Sequence, residues 1–335
     1  MYDQAKQIQD IIAAAHTVVI VQADNPDADS LGSALALEHI IGDMGKEPYL
    51  YCGVEAPTYL RYLEGWDRVQ KDLPKQFDAS IIVDASTMTL LECLITSGQH
   101  NWLATKPCVV LDHHEKVDHI VPFATVILND YKRSSTGELI YHLAHELGWE
   151  VSLRAQEFIM TAILGDTQGL TNQLASSETY QIMADMIAAG IDRPHIEELR
   201  REYSKMQQKI FKYKGTLIDR TEFHHNGQIA TVTIPQDEIN EYSPLYNPAP
   251  LVQQDMLQTL DVRLAIVFKH YADGKVTGAI RGNTGYGVAG ELAEHLGGGG
   301  HAYASGFKIS SGKSFPDIKA ECIGYASELL AKLDS

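Results

Sequence analysis

Four short apolar runs in the first 111 residues constrain this chain more than anything else in it: Thr17–Gln22 (TVVIVQ), Pro48–Cys52 (PYLYC), Ala79–Val83 (ASIIV) and Cys108–Leu111 (CVVL). They are too short and too continuously apolar to be amphipathic helices. Their β-branched residues suit strands buried on both faces. Helical stretches lie between them, such as Ser30–Asp43 with Asp29 or Ser30 as its N-cap. Strands alternating with helices predict an α/β fold on a parallel sheet.

From Glu138 to about Leu217 the pattern is helical: ELIYHLAHEL, RAQEFIMTAILG, SETYQIMADMIAAG, and a charged HIEELRREYSKMQQKIFKYKG read as one helix ending at Gly215. The texture then changes. His224-His225-Asn226-Gly227 reads as an exposed turn between strands TLIDRTEF and QIATVTIP rather than as a metal site. Ala272-Asp273-Gly274 is a hairpin signal between VRLAIVFKHY and KVTGAIRG. A helix (GVAGELAEHL), a glycine run, a strand (ASGFKIS) and a last helix follow. A length of 335 residues fits two domains. The expected division is 1–200, a connecting helix or linker over 201–218, and a smaller mixed-sheet domain over 219–335.

Acidic residues outnumber basic ones 44 to 27, for a formal net charge of −17. Affinity for a long nucleic acid comes mainly from Lys and Arg displacing counterions, so this charge argues against tracking of long chains. A short phosphorylated ligand in a local pocket stays compatible. Cys52, Cys93, Cys108 and Cys322 are scattered and form no CxxC pair, as expected of free thiols in a reducing compartment. The N-terminal MYDQAKQIQDIIAAAHTVVIV lacks a signal-peptide layout, and no apolar run approaches the ~20 residues that span a bilayer. The expectation is a cytoplasmic protein with no membrane partner.

In an open α/β sheet the loops beyond the strand C-termini form the binding crevice. Here Asn25-Pro26-Asp27-Ala28-Asp29 follows the first run, Asp84 the third and Asp112-His113-His114 the fourth, while Asp166 in AILGDTQG closes a helical stretch. Singly these have ordinary readings, as turn residues, helix caps or a polar loop. Together they bring carboxylates and imidazoles to neighbouring strand ends, a donor set suited to Mn²⁺ or Mg²⁺ and to a pair of ions. Such a pair can hold a phosphate, activate a water and stabilise the leaving oxygen.

In this order NPDADSLGS, VDAS, LDHH and GDT resemble the four motifs of the DHH phosphoesterase superfamily, and Gly297-Gly298-Gly299-Gly300-His301 resembles the signature of its DHHA1 substrate domain. The resemblance covers nearly the whole chain. It implies a DHH metal-binding catalytic domain, a smaller DHHA1 substrate-binding domain, and an active site in the cleft between them. It implies Asp27 as a ligand of a first metal, Asp29 as a ligand of a second, and Asp84 as the carboxylate bridging both. His113 and Asp166 resemble further ligands of the second metal. Asp112 resembles a residue orienting the metal-binding histidine, and His114 one beside the substrate phosphate and leaving group. On the second domain, Arg281, Gly298, Gly299, Gly300 and His301 are implied to meet a substrate phosphate, glycines letting backbone N–H groups approach it. Arg281-Gly282-Asn283 stands where the family reads R-S, and Ala304-Ser305-Gly306 where it reads A-A-G. The stretch around Tyr242 and Tyr246 reads as a base-stacking platform or as inter-domain packing. Gly137-Glu138, after Ser134-Ser135-Thr136, reads as a helix start with a structural role.

The family places a histidine three residues before the proline of N-P-D, as a ligand of the first metal; here Ala23 stands there. The first site is therefore expected to be weaker, rebuilt with Asp24, or filled only when a substrate phosphate supplies ligands. Alternation along an extended chain would aim Gln22 and Asp24 elsewhere. The activity expected is hydrolysis of short oligonucleotides (dinucleotides, nanoRNA) or of 3′-phosphoadenosine 5′-phosphate, resembling the oligoribonuclease branch. Alternatives are a cyclic-dinucleotide (cyclic di-AMP) phosphodiesterase, or a nucleotide-binding or sensing protein weakened in catalysis by Ala23. Family-II pyrophosphatases lack the glycine–histidine loop, and RecJ-like exonucleases are longer. A homodimer is compatible with this reading.

Overall fold

The computed structural model describes residues 1–114, 120–243, 246–310 and 312–334, and of His301 the backbone alone. The chain divides into two compact units, Met1–Lys205 and Met206–Ser335. In the first, α1 (Ala5–Ala14) precedes β1 (Thr17–Val21), α2 (Ala28–Asp43), β2 (Glu47–Tyr51), β3 (Ala79–Val83), α3 (Glu92–Thr96), α4 (His100–Leu103), β4 (Cys108–Asp112) and β5 (Val126–Asn129). Four helices end the unit: α5 (Thr136–Leu147), α6 (Leu153–Asp166), α7 (Ser177–Ala188) and α8 (Arg193–Tyr203). The strands form one all-parallel sheet in the order β2-β1-β3-β4-β5.

Alternation along β1 fills both faces of that sheet. Val18 and Ile20 enter a core with Leu35 of α2, Leu139 of α5 and Phe158 of α6. Val19 and Val21 enter another with Leu94 of α3 and Leu103 of α4. The strand order reverses direction between β1 and β3, which puts the loops after these strands on either side of a switch point. Those loops carry Asp27-Ala28-Asp29 and Asp84. The approach of α2 to α6 is close enough to need glycine: a Cβ on Gly165 would lie 2.6 Å from the Ala28 Cβ, and one on Gly32 would lie 2.8 Å from the Phe158 carbonyl oxygen.

The second unit holds α9 (Gln208–Asp219), β6 (Glu222–His224), β7 (Ile229–Pro235), α10 (Gln236–Tyr242), α11 (Pro248–Leu257), β8 (Leu264–His270), β9 (Val276–Gly282), α12 (Ala289–His295), β10 (Gly299–His301), β11 (Ala304–Ile309) and α13 (Phe315–Leu333). Its sheet runs β10-β11-β9-β8-β7-β6 and is mixed, β7 and β8 being the parallel pair. Leu264, Ile266 and Phe268 of β8 pack with α12 and α13, while Ala265 and Val267 pack with α9 and α11.

Three local readings need correction. The stretch 195–215 is not one helix: α8 ends at Tyr203 and α9 starts at Gln208, with Gln207 extended at φ −63° and ψ 151°. Ile196 serves the core of the first unit and Ile210, Tyr213 and Leu217 that of the second, so no single apolar stripe runs through. TLIDRTEF is a strand only over Glu222–His224, because Leu217 is a core residue of α9. Val126–Asn129 adds a fifth strand to the first sheet, with alternating burial that its short length had hidden.

Candidate metal centre

The ends of β1, β3 and β4 and the end of α6 each deliver one piece of the site. Asp27, rather than the expected Asp29 or Ser30, caps α2: its Oδ1 accepts from the Ser30 N–H at 2.9 Å while Ser30 Oγ accepts from the Asp27 N–H at 3.0 Å. Asp29, fully buried in the next turn, is fixed by three donors: Ser33 Oγ at 3.0 Å and the backbone N–H groups of Thr136 at 2.7 Å and Gly137 at 3.0 Å. These N–H groups open α5, and a helix N-terminus favours a carboxylate. Asp84 follows β3 with a left-handed φ of 57° and accepts from Thr136 Oγ1 at 3.3 Å. Asp112 ends β4. Its Oδ2 takes the Ser86 N–H at 3.0 Å, and its Oδ1 takes the His113 N–H at 2.8 Å and lies 2.7 Å from His114 Nδ1.

His113 sits at the centre. Its Nδ1 is 3.3 Å from the Arg133 carbonyl oxygen, which can only accept, so the proton belongs on Nδ1. Nε2 is left facing Asp166 Oδ2 at 2.9 Å, Asp29 Oδ2 at 3.6 Å and Asp84 Oδ1 at 3.7 Å. It is buried and makes no aligned hydrogen bond despite the short approach to Asp166. Asp29, His113 and Asp166 can converge on one ion, and Asp84, His113 and His114 form a second such group. Electrostatics point the same way. Burial, followed by the charges of Asp29, Asp27 and Asp166, pushes Asp84 well above the usual carboxylate range. Burial and Asp29 push Asp166 up to about 6. For His113 burial opposes the charged form, but Asp166 and Asp29 outweigh it and raise the imidazole to about 9. Burial works against the Asp112 charge too, yet His114, with help from Ser86, holds it down at about 2. At neutral pH the His113 imidazolium offsets only part of the charge of the carboxylates around it, and a buried ring nitrogen facing three carboxylate oxygens is a place where a divalent ion would replace the proton.

Residues 17–191 match the family profile of the DHH family N-terminal domain, and residues 249–328 that of the DHHA1 domain. The chain belongs to the DHH family. A probable bifunctional oligoribonuclease and PAP phosphatase NrnA of Streptococcus mutans is 25% identical over 313 residues, covering 92% of this chain and 95% of that protein. The Bacillus subtilis bifunctional oligoribonuclease and PAP phosphatase NrnA is 23% identical over 304 residues, 90% of this chain and 91% of that one. The cyclic-di-AMP phosphodiesterase GdpP of Geobacillus thermodenitrificans is 25% identical over 327 residues, 90% of this chain but 46% of that longer protein. Among solved structures, an exopolyphosphatase-related protein from Bacteroides fragilis shares the fold at a TM-score of 0.85, with 18% identity over 99% of this chain and 98% of that one.

The other residues expected in this DHH-family site fall as follows. Ala23 is 3% exposed and packs against the β1 face that meets α3, its carbonyl accepting from Cys52 Sγ at 3.2 Å. One oxygen of the Asp24 carboxylate is engaged elsewhere, Oδ2 taking the Cys93 N–H at 2.7 Å, while Oδ1 is buried without a hydrogen bond. Neither Asp24 nor Asp27 enters the two converging groups, although the charge of Asp27 reaches Asp84 and Asp166. In the second unit, register aligns His301 with Ala304 and Ala304 with Arg281 across β10, β11 and β9. The His301 side chain lies outside what is described. Arg281 Nη1 donates to the Ile280 carbonyl at 3.0 Å. The glycine run has a packing reason as well: a Cβ on Gly298 would lie 2.2 Å from the Gly306 carbonyl oxygen. Tyr242 stacks on Tyr213 at 3.7 Å within the second unit, while Pro244 and Leu245 beside it lie outside the described residues. His224 Nε2 lies 2.8 Å from Thr231 Oγ1 in the β6–β7 hairpin, whose turn has His225, Asn226 and Gly227 at positive φ. Sequence reasoning missed the Arg133 carbonyl and the Thr136 and Gly137 N–H groups. Its only signal was the capping pattern at Ser135, which announced a helix start but not what that start would hold.

Proposed function

We propose that the chain is a metal-dependent phosphoesterase of short oligonucleotides (dinucleotides and nanoRNA) and of 3′-phosphoadenosine 5′-phosphate. The observation that carries this is His113 Nε2, buried, without an aligned hydrogen bond and within 3.7 Å of carboxylate oxygens from Asp29, Asp84 and Asp166. The activities in the names of the two NrnA relatives support the substrate class. Asp29, His113 and Asp166 would hold one ion and Asp27 another, with Asp84 shared; Mn²⁺ suits this mixed oxygen–nitrogen set and Mg²⁺ is the runner-up. Bound ions would supply a water activated at neutral pH and positive charge at the leaving oxygen.

The chain's own residues do the rest. The α5 N-terminus orients Asp29, and the Arg133 carbonyl fixes His113 with Nε2 turned inward. Asp112 holds His114 by Nδ1 and raises its pKa, favouring the charged ring that would contact a substrate phosphate. Arg281, the backbone of Gly298, Gly299 and Gly300, and His301 would bind the substrate at the second unit. Cys52, Cys93, Cys108 and Cys322 are all unbridged, which fits the cytoplasm. No helix among the described residues is long and apolar enough to cross a membrane.

To test the reading, the purified protein is incubated with MnCl₂ and pApA, longer oligonucleotides, 3′-phosphoadenosine 5′-phosphate or cyclic di-AMP, beside Asp84→Ala. Turnover of the first three above that control is expected; turnover of none overturns the proposal, and turnover of cyclic di-AMP alone replaces the substrate class. A second reading, nucleotide binding without catalysis, is favoured by the buried Ala23 and the engaged Asp24. Calorimetry that finds one bound ion, with no turnover of any substrate, would establish it.

A further inference from the structure

The chain is acidic overall, yet one sheet face of the second unit gathers cations that have no carboxylate partner. In this unit Lys209, Lys214, Arg220, Arg263, Lys313 and Lys319 each pair with an Asp or Glu. Lys212, Lys269, Lys275, Arg281 and Lys308 make no such pair among the described residues. Apart from Lys212 on α9, all of these belong to β8, β9, β11 or the β8–β9 hairpin.

The register orders them. Val276, Ile280 and Phe307 belong to the core with α12 and α13, so Thr277, Ala279, Arg281, Gly306 and Lys308 occupy the opposite face. One row crosses that face as Lys308, Thr277 and Lys269, and another as Ala304 and Arg281 with His301 at the same register. Between them the floor is low at the β10–β11 edge, where a Cβ on Gly299 would meet nothing within 4 Å and one on Gly306 only the Gly278 carbonyl oxygen, while Ala279 and Val267 in the same row pack with α11. Lys308 and Arg281 are exposed, and the half-buried Lys269 donates to Asn247 Oδ1 at 3.2 Å. Burial without a counter-charge lowers the Lys269 pKa. Lys275 lies beyond the strand with its ammonium 3.8 Å from the Tyr271 ring centre. The four-residue step from Arg281 to Thr277 along β9 separates the two rows by about 13 Å.

We propose that the Lys308–Lys269 end of this face is a subsite for a backbone phosphate of a single-stranded oligonucleotide whose near end is held at the Arg281 row. This rests on the phosphoesterase reading above and extends it to substrate length. A spacing of about 13 Å exceeds what the two phosphates of one nucleotide can span, since both sit on a single ribose. Mononucleotides and dinucleotides therefore bind without the lysines, and chains of three or more nucleotides gain them. Phosphate contacts of this kind position a strand without reading its sequence.

The test measures fluorescence anisotropy of the full chain in EDTA with 5′-phosphorylated adenosine dinucleotide and tetranucleotide, so that binding is read without turnover. Lys308→Glu is expected to weaken the tetranucleotide about tenfold and the dinucleotide less than about twofold, with Lys212→Glu leaving both unchanged. Lys308→Ala should lower the salt slope for the tetranucleotide by about 0.7. Equal losses on both lengths, or equal losses in Lys212→Glu and Lys308→Glu, overturn the subsite. Length-dependent binding that needs Lys308, found without turnover in Mn²⁺, keeps the subsite and sinks the hydrolase; turnover with no length dependence does the reverse.

Discussion

Adding a single methyl group at Gly165 should misalign the metal centre. Gly165 precedes Asp166 at the end of α6, and Ala28 lies between Asp27 and Asp29 at the start of α2. A Cβ on Gly165 would sit 2.6 Å from the Ala28 Cβ, where ordinary contact begins at 3.4 Å. Neither methyl can rotate away, so the helices must part by about 0.8 Å or more, carrying Asp166 from Asp29 and His113. Overpacking of this kind costs about 1–3 kcal/mol, offset by the ~1 kcal/mol that alanine gains over glycine inside a helix. Gly165→Ala should therefore lose at most about 2 kcal/mol of stability. A misplacement near 1 Å at reacting groups can nonetheless cost about 10²-fold in rate. The assay is kcat/KM on pApA in MnCl₂, with calorimetric metal affinity and a thermal melt on the same sample. The double variant Ala28→Gly/Gly165→Ala removes the opposing methyl and should recover to within about threefold of wild type. Full activity and metal affinity in Gly165→Ala, or no recovery in the double variant, would refute the idea that the α2–α6 approach sets the ligand spacing.

Other perturbations separate the scaffold from the metal charge. Asp166, raised to about 6 in the absence of metal, costs stability when ionised, so Asp166→Asn should stabilise chelator-treated protein by about 2–3 kcal/mol at pH 7.5. That gain should fade as pH falls through about 6 towards 4, and MnCl₂ should raise the melting temperature of wild type but not of the variant; a variant that melts lower in chelator contradicts this. Glu138 is depressed below 4.5: burial opposes its charge, but His142, Ser134 and Thr179 outweigh that. Its stabilisation is therefore present above about 4.5 and lost as pH falls through the lower folded value, so the melting temperatures of Glu138→Gln and wild type should converge in acid. A constant gap down to pH 3 would show that its charge is not what matters. Ala23→His places an imidazole in a packed interior and should destabilise the metal-free protein by about 1–3 kcal/mol while raising activity at limiting Mn²⁺. Unchanged activity there would mean that position 23 does not face the first ion.

What the sequence makes legible follows from which atoms carry the signal. Strand ends are readable because β1, β3 and β4 are continuous apolar runs with an acid just beyond each, and side chains announce themselves in a sequence. The donors that orient those acids are mostly backbone groups. The Thr136 N–H that fixes Asp29 is 107 residues away in the chain, and the Arg133 carbonyl that fixes His113 is 20 away. Any residue type could have supplied the carbonyl, and any but proline the N–H. The same limit explains Asp24, whose carboxylate is engaged by the Cys93 N–H, 69 residues on. The long charged helix was misread for another reason. Helical periodicity persists across Ser204–Gln207, but its two ends serve different cores, and only tertiary packing shows that.

The carboxylates divide by who satisfies them. Asp29 receives three donors from the protein, and both oxygens of Asp112 are occupied by the Ser86 N–H and by the histidine pair. These groups are held whether or not a cation is bound. Asp84 receives one long hydrogen bond from Thr136 and Asp166 only the misaligned approach of His113, and burial and the neighbouring carboxylates raise both above the usual carboxylate range. A chain needing only a stable turn at these strand ends would do better with amides, which bury without repelling. Keeping acids where they cost stability is the mark of a cation site. By that argument an alanine at position 23, where the family motif has a histidine, would change one ligand rather than the logic of the site: the costly groups, Asp84 and Asp166, are still in place.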